Sequence, residues 1–356
     1  MDVDGEIWHV YHKKAAGRRL TEMQPTCSPK LSVVIVNYDS WPDVLRLVDT
    51  LTKAEDFTKG LFEIIVVDNC SPVGIPASRP HRDNLFWVDQ PTNGGFASGV
   101  NAGWRQARGQ WLLLLNPDIS LNATIPGQLL TLLDRVQTGQ MPPDFSGHTG
   151  IVGLGLVNPD GSRQPSVGAF PTLSRGLLEL FLPRNRRRYQ IVSPEKISAV
   201  DWVTGAAFLV NTQTMTDLNG FDEAYFLYFE ETDFCLRARL AGWATLYEPA
   251  INLCHEKPLQ NRAVSPMIRL LTRHSRLLYF RKNRPAFEFM AMRWIVWSEA
   301  IFKNWLCRMG IGTYKPEVWA AVARLTTLFR SGKYPVGEAT REWAEASLNI
   351  TEKSPG

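Results

Sequence analysis

Asn116-Pro117-Asp118 closes the apolar run from Trp111 to Leu115, and an aspartate set there could hold a hard cation against phosphate oxygens. A buried parallel strand reads as a continuous apolar run, and α/β proteins bind ligands in the crevice at the carboxyl ends of such strands. The same triplet is ordinary β-turn chemistry, so its company decides. Two further apolar runs end in polar residues: Leu31 to Asn37 runs into Tyr38-Asp39, and Phe62 to Val67 into Asp68-Asn69-Cys70-Ser71. Asp68 could accept hydrogen bonds from a pyrimidine N–H or a ribose hydroxyl, with Ser71 completing the turn, or it could simply close an Asx-turn. Asn93-Gly94-Gly95 would let backbone approach a ligand closely at a helix start that favours negative charge, unless it is only a tight turn. It is not the Gly-x-Gly-x-x-Gly fingerprint, which counts against a dinucleotide cofactor.

These groups need a sheet to bring them together. Pro42 to Thr52 has helical spacing at Val44, Leu47, Val48 and Leu51, Leu85 to Val88 reads as a third strand, and a helix runs from the Asn93 loop to about Arg108. The alternation predicts an α/β fold: a Rossmann-like, mostly parallel sheet with helices on both faces. Beyond it, Ile151 to Val157 and Ala244 to Tyr247 read as strands, and Asp201 to Val210 as one strand with an internal glycine. Helices are expected near 170–183, 212–218 and 232–241, and the run 184–188, four arginines in five residues, as a solvated loop. From Ser265 onward the pattern is mostly helical. We divide the chain into an N-terminal extension (1–30), a main α/β domain (31–260) and a C-terminal helical region (261–356).

At 356 residues, 44% hydrophobic and 21% charged, the composition is that of a soluble globular protein. Five cysteines without a Cys-x-x-Cys pair suggest neither a disulfide framework nor a zinc cluster. No secretory signal or membrane span is expected, and the location inferred is cytoplasmic. A net charge of +4 without a nucleic-acid motif gives no reason to expect DNA or RNA as a partner.

The ordered set Asn37-Tyr38, Asp68-Asn69-Cys70-Ser71, Asn93-Gly94-Gly95-Phe96 with Asn101, Leu115-Asn116-Pro117-Asp118, Gly205-Ala206 and Tyr228-Phe229-Glu230-Glu231-Thr232-Asp233 resembles the family 2 glycosyltransferases, most closely their bacterial rhamnosyltransferase-like branch. The resemblance covers roughly residues 31 to 285. It implies a glycosyltransferase type A fold with a C-terminal helical appendage. It also implies that Asn37, Asp68, Ser71, Asn93, Gly94, Gly95, Asn101, Asn116 and Asp118 bind a nucleotide-sugar donor. Asp118 would bind Mg²⁺ or Mn²⁺, with His255 as the second metal ligand, although a histidine at a strand end is often structural. The Glu230-Glu231 pair would carry the catalytic base, on Glu231, where the family has aspartate; the longer side chain either moves the acceptor outward or impairs the enzyme. Asp233 would cap the helix and pair with Arg237. Trp202, Gly205 and Ala206 would form the acceptor floor, with Trp202 stacking on a sugar or belonging to the core.

The resemblance implies an inverting, metal-dependent transfer of L-rhamnose from dTDP-L-rhamnose to a bacterial surface glycan or lipid-linked saccharide. Gly161-Ser162-Arg163-Gln164 and Phe170-Pro171-Thr172 favour the deoxysugar. The alternatives are a catalytically silent nucleotide-sugar or glycan-binding relative, and a nucleotide-sugar oxidoreductase on a similar sheet. Between Glu256 and Arg308 eleven Lys or Arg face three Glu, interleaved with Trp294, Trp297, Phe302 and Trp305. We expect these aromatics to pack on the catalytic domain with the arginines in water, the alternative being peripheral contact with an anionic membrane.

Overall fold

The apolar run Leu31–Asn37 is buried along its whole length, and its alternate side chains enter two different cores. This is the signature of a strand covered on both faces. The structure is a computed structural model that describes residues 28–139, 148–179, 193–258, 264–311 and 315–349; the expected loop at 184–188 and most of the N-terminal extension lie outside them.

The first half alternates β1 (Leu31–Asn37), α1 (Trp41–Thr52), α2 (Glu55–Thr58), β2 (Phe62–Asp68), β3 (Leu85–Asp89), α3 (Phe96–Gln106), β4 (Trp111–Leu115), β5 (Ile119–Ser120) and α4 (Ile125–Gln137). There follow β6 (His148–Val157), β7 (Arg163–Gln164), β8 (Val167–Gly168), α5 (Leu173–Leu178), β9 (Ser198–Ala199), β10 (Trp202–Val203), β11 (Ala207–Asn211) and α6 (Thr212–Asp217). The remainder is α7 (Glu230–Leu240), β12 (Trp243–His255), α8 (Pro266–Asn283), α9 (Ala286–Arg308), α10 (Pro316–Ser331) and α11 (Glu338–Leu348).

The main sheet has the order β3-β2-β1-β4-β11-β6-β12-β5, with β7 on β6 and β9 on β12. β3, β2, β1 and β4 are mutually parallel, β11 runs antiparallel between β4 and β6, and β6 and β12 are parallel to each other. One face carries α1 and α4 over Val33, Ile35, Leu113 and Leu115; the other carries α3, α6 and α7 over Val34, Val36, Leu112 and Leu114. Each fully buried aliphatic side chain contributes about 1.5–3 kcal/mol. A third core joins Tyr225 and Phe226 to α8, α9, α10 and α11.

Two expectations need correction. The stretch Asp201 to Val210 is not one strand: β10 pairs with β8 in a small separate sheet, β11 joins the main sheet, and the chain crosses between them at Thr204-Gly205-Ala206. The aromatics of α9 do not pack inward either. Trp294, Phe302 and Trp305 are 53%, 58% and 54% exposed, because the helix buries its opposite side, through Phe289, Met292, Val296 and Ala300.

Candidate active site

Register places Asn37 beside Asp68 at the carboxyl ends of β1 and β2. Asn37 Nδ2 donates to Asp68 Oδ1 at 2.9 Å and to Ser71 Oγ at 3.0 Å; the Ser71 hydroxyl and N–H donate to the two Asp68 oxygens. Asp68 and Asn37 are fully buried, so this network is rigid, and three donors on a carboxylate leave about one lone pair open. Asn69, given no separate role from sequence, latches the next loop: its Nδ2 donates to Asn93 Oδ1 at 2.8 Å and to the Gly95 carbonyl at 3.0 Å, while its buried Oδ1 has no partner. Gly95 has φ 87°, and a Cβ there would lie 2.0 Å from the Phe226 carbonyl oxygen. The close approach that this glycine allows is therefore to Phe226, whose carbonyl accepts from Phe96 N–H at 3.1 Å. Gly94, beside Ser98, completes the loop.

Asp118 stands after β4, and the far end of β12 returns to it. β12 pairs with β5 through His255 opposite Ile119, and Glu256 N–H donates to the Asp118 carbonyl at 2.9 Å. His255 Nε2 lies 3.3 Å from Asp118 Oδ2, both side chains slightly open to solvent. Behind the ring, Gln164 Nε2 lies 3.0 Å from His255 Nδ1, and Gln164 Oε1 has no partner.

This pair fits a divalent cation. Two neighbouring ligands on six-coordinate Mg²⁺ or Mn²⁺ are separated by roughly 3 Å for bonds of about 2.1 Å. A half-turn of the Gln164 amide would set Oε1 to accept from Nδ1–H and turn the Nε2 lone pair toward Asp118. Among the described residues no group of three or more His, Cys, Asp and Glu could hold a metal, so further ligands would have to be phosphate oxygens and water.

Glu230 and Glu231 open α7, buried in its first turn, where carboxylates are favoured by the helix dipole. The two residues before them, Tyr228 and Phe229, are both left-handed (φ 71° and 70°), an unfavourable conformation for aromatic side chains that delivers the pair at a fixed angle. Gly205, at the crossing between the sheets, lies against Glu231: a Cβ there would sit 3.9 Å from its Cβ and Cγ. The neighbouring Ala206 carbonyl accepts from Asn116 N–H at 2.9 Å. Asn116, Asp118, Ala206, Gly205 and Glu231 are thus linked around one strand end. Asp233 accepts from Arg237 Nε at 2.7 Å and Asn283 Nδ2 at 2.7 Å, a structural role.

Two expected site residues are not brought to this place. Asn101 holds the turn before α7, its amide exchanging hydrogen bonds with the Phe221 backbone and reaching Glu223. It borders a separate cleft of about 460 Å³ whose charges pair with one another, as in Arg237–Asp233 and Arg105–Glu223. Trp202 is core: 2% exposed, its ring fills the space a Cβ at Gly168 would need, and Nε1 donates to the Ala169 carbonyl.

A mixed, mostly parallel sheet helical on both faces, with polar clusters at its strand ends and C-terminal helices behind, agrees with the glycosyltransferase type A fold expected from the sequence. Residues 32–139 match the description "Glycosyl transferase family 2", and the chain is similar in sequence to rhamnosyltransferases. It is 28% identical over 285 residues to the N-acetylglucosaminyl-diphospho-decaprenol L-rhamnosyltransferase of Mycobacterium tuberculosis, covering 74% of this chain and 88% of that one. It is 27% identical over 238 residues to the rhamnosyltransferase WbbL of Escherichia coli, covering 65% and 85%. Among solved structures, a mannosyltransferase from Pyrobaculum calidifontis in complex with GDP-Man and Mn²⁺ aligns loosely, at a TM-score of 0.46 and 14% identity over 92% of this chain and 89% of that one.

Proposed function

We propose that the chain is an inverting, metal-dependent transferase that moves L-rhamnose from dTDP-L-rhamnose to a hydroxyl of a bacterial surface glycan or lipid-linked saccharide. What carries the reading is the linkage of the Asp118–His255 pair to Glu231 around one strand end, through the Asn116-to-Ala206 hydrogen bond and Gly205. The rhamnose preference is supported by the names of the two relatives and by the Gly161-to-Gln164 loop, whose glutamine touches His255.

In this reading the Asn37–Asp68–Ser71 network and the Asn69 latch shape the nucleoside site from behind, holding the strand end and the Asn93 loop against which a base and ribose would lie. Asp118 and His255 would hold a divalent cation, which supplies neutralisation of the charge on the departing diphosphate. Glu231 takes the proton of the acceptor hydroxyl as its oxygen bonds to the anomeric carbon. The bond from that carbon to the diphosphate oxygen breaks, its electron pair leaves with the diphosphate, and attack from the opposite side inverts the centre.

The test is transfer from dTDP-L-rhamnose with Mn²⁺, alongside thermal shift with dTDP. Glu231→Gln is expected to lower turnover by about 10³–10⁴ while leaving the dTDP shift intact. Asp118→Asn should weaken Mn²⁺ binding measured by titration. Unchanged turnover in Glu231→Gln would refute its role as base, and absence of transfer in the wild type from any nucleotide-sugar would leave the silent relative.

A further inference from the structure

Helix α9 is apolar on both sides. Its inner side lies in the third core, and its outer side presents Phe287, Met290, Trp294, Trp297, Ile301 and Trp305 at helical spacing, all solvent-exposed. Trp294 meets Trp297 edge to face at 5.2 Å, and Phe302 lies against Trp305 at 6.2 Å, so the exposed rings touch mainly one another. Leu177 and Leu178 are also exposed on α5, which packs against α9 through Gly176 and Met292. A helix apolar all round ordinarily has its whole surface buried. No described helix is long and apolar enough to cross a membrane, and α9 has one side committed to protein.

The charges around this face are of one sign. Its two glutamates are turned inward and held, Glu288 by Arg284 and Glu299 by Arg273 and Lys303. Arg293, Arg308 and Arg330 have no carboxylate partner among the described residues. Arg293 lies over the Trp294 ring, and burial together with the neighbouring Arg330 pulls its pKa down, so an anion placed between the two guanidiniums would be held by both.

We propose that the outer face of α9 is a lipid-docking surface, the helix lying along the headgroup boundary of an anionic bilayer with its tryptophans among the upper acyl chains and its arginines on headgroup phosphates. Aromatic residues flanked by cations are what such a boundary selects. A second copy of the chain fits less well, because among the described residues of this face the two glutamates are already paired and none is left to answer its arginines. The inference does not depend on the transfer reaction, and its test needs no substrate.

The experiment is co-sedimentation of the full chain with vesicles of phosphatidylcholine, alone or mixed with phosphatidylglycerol, with quenching of tryptophan fluorescence by brominated acyl chains as a variant-free second measurement. The wild type is expected to bind the anionic vesicles and to be quenched. Trp294→Ser/Trp305→Ser should lower the partition coefficient at least about tenfold, and Arg293→Ser/Arg330→Ser should bring anionic vesicles down to the level of neutral ones, both with unchanged melting temperature. Wild-type protein left in the supernatant without quenching, equal binding to both vesicles, or variants that bind like wild type would each overturn the proposal. So would a dimer in sedimentation equilibrium that Trp294→Ser/Trp305→Ser dissolves, which would assign the face to a second copy.

Discussion

If Glu231 is the base proposed above, one methylene decides its reach. Its side chain is buried against Gly205, where a larger residue would crowd it. Shortening it would draw the carboxylate back toward the helix, and displacement of a catalytic group by about 1 Å can cost about a hundredfold in rate. Glu231→Asp is therefore expected to retain transfer at about a hundredth of the wild-type kcat, with donor KM unchanged, whereas Glu231→Gln falls further. Equal rates for the aspartate and glutamine variants in a donor-consumption assay would mean that the carboxylate does not act as a base. Asn69 and Gln164 act at the same scale through neighbours, one holding the Asn93 loop and the other the His255 ring. The sequence places both in motifs but gives neither this holding role, because the partner of Gln164 lies 91 residues away and that of Asn69 lies 24 away.

Among the elements, α8 contains a group that makes its packing sensitive to acid. His274 is fully buried, donates from Nε2 to the Pro335 carbonyl at 2.7 Å and packs on the Phe329 ring; burial pushes its pKa down to about 4, against the small upward pull of that hydrogen bond. The unfolded chain protonates this histidine near its ordinary value of about 6.5, well before the folded one does. Its contribution is thus complete above about pH 6.5 and is lost as pH falls toward 4, in total on the order of 3 kcal/mol. His274→Gln should flatten the fall in melting temperature across that interval; an unchanged slope would place the acid sensitivity elsewhere. The strands β1, β2 and β4 could be read from sequence because each is an apolar stretch, broken only by Ser32 in β1 and Glu63 in β2, that is stopped by polar residues. The run from Trp202 to Val210 is equally apolar yet belongs to two sheets, and periodicity carries no mark of a crossing that only Gly205 and its contact with Glu231 reveal. For α9, apolar on both sides, composition could not tell which side the third core would take. The resemblance assigns Asn101 to the donor, and nothing local in the sequence marks its actual partner, the turn at Phe221, 120 residues further on.

For the whole molecule, the third core ties the C-terminal helices to the proposed base. A division at residue 260 leaves that core in both parts, since Tyr225 and Phe226 pack with α8 to α11 just upstream of Glu230. The Ser275 hydroxyl donates to the Leu227 carbonyl at 2.8 Å, Asn283 donates to Asp233, and Gly337 N–H donates to the Ala224 carbonyl at 3.0 Å. Two consecutive left-handed aromatics cost about 1–3 kcal/mol each and persist only where their surroundings over-determine them. These contacts supply that constraint, so the C-terminal helices fix the turn that delivers Glu231. Ser275→Ala/Asn283→Ala removes two of the ties, each a hydrogen bond whose loss leaves a buried acceptor short of a partner at a cost of about 1–3 kcal/mol. The expected result is a kcat about tenfold or more below wild type, with donor KM and the dTDP thermal shift unchanged, because the nucleoside network at β1 and β2 shares none of these contacts. A rise in donor KM with kcat preserved would show instead that the C-terminal helices serve the donor side, and that the angle of α7 is set by the sheet alone.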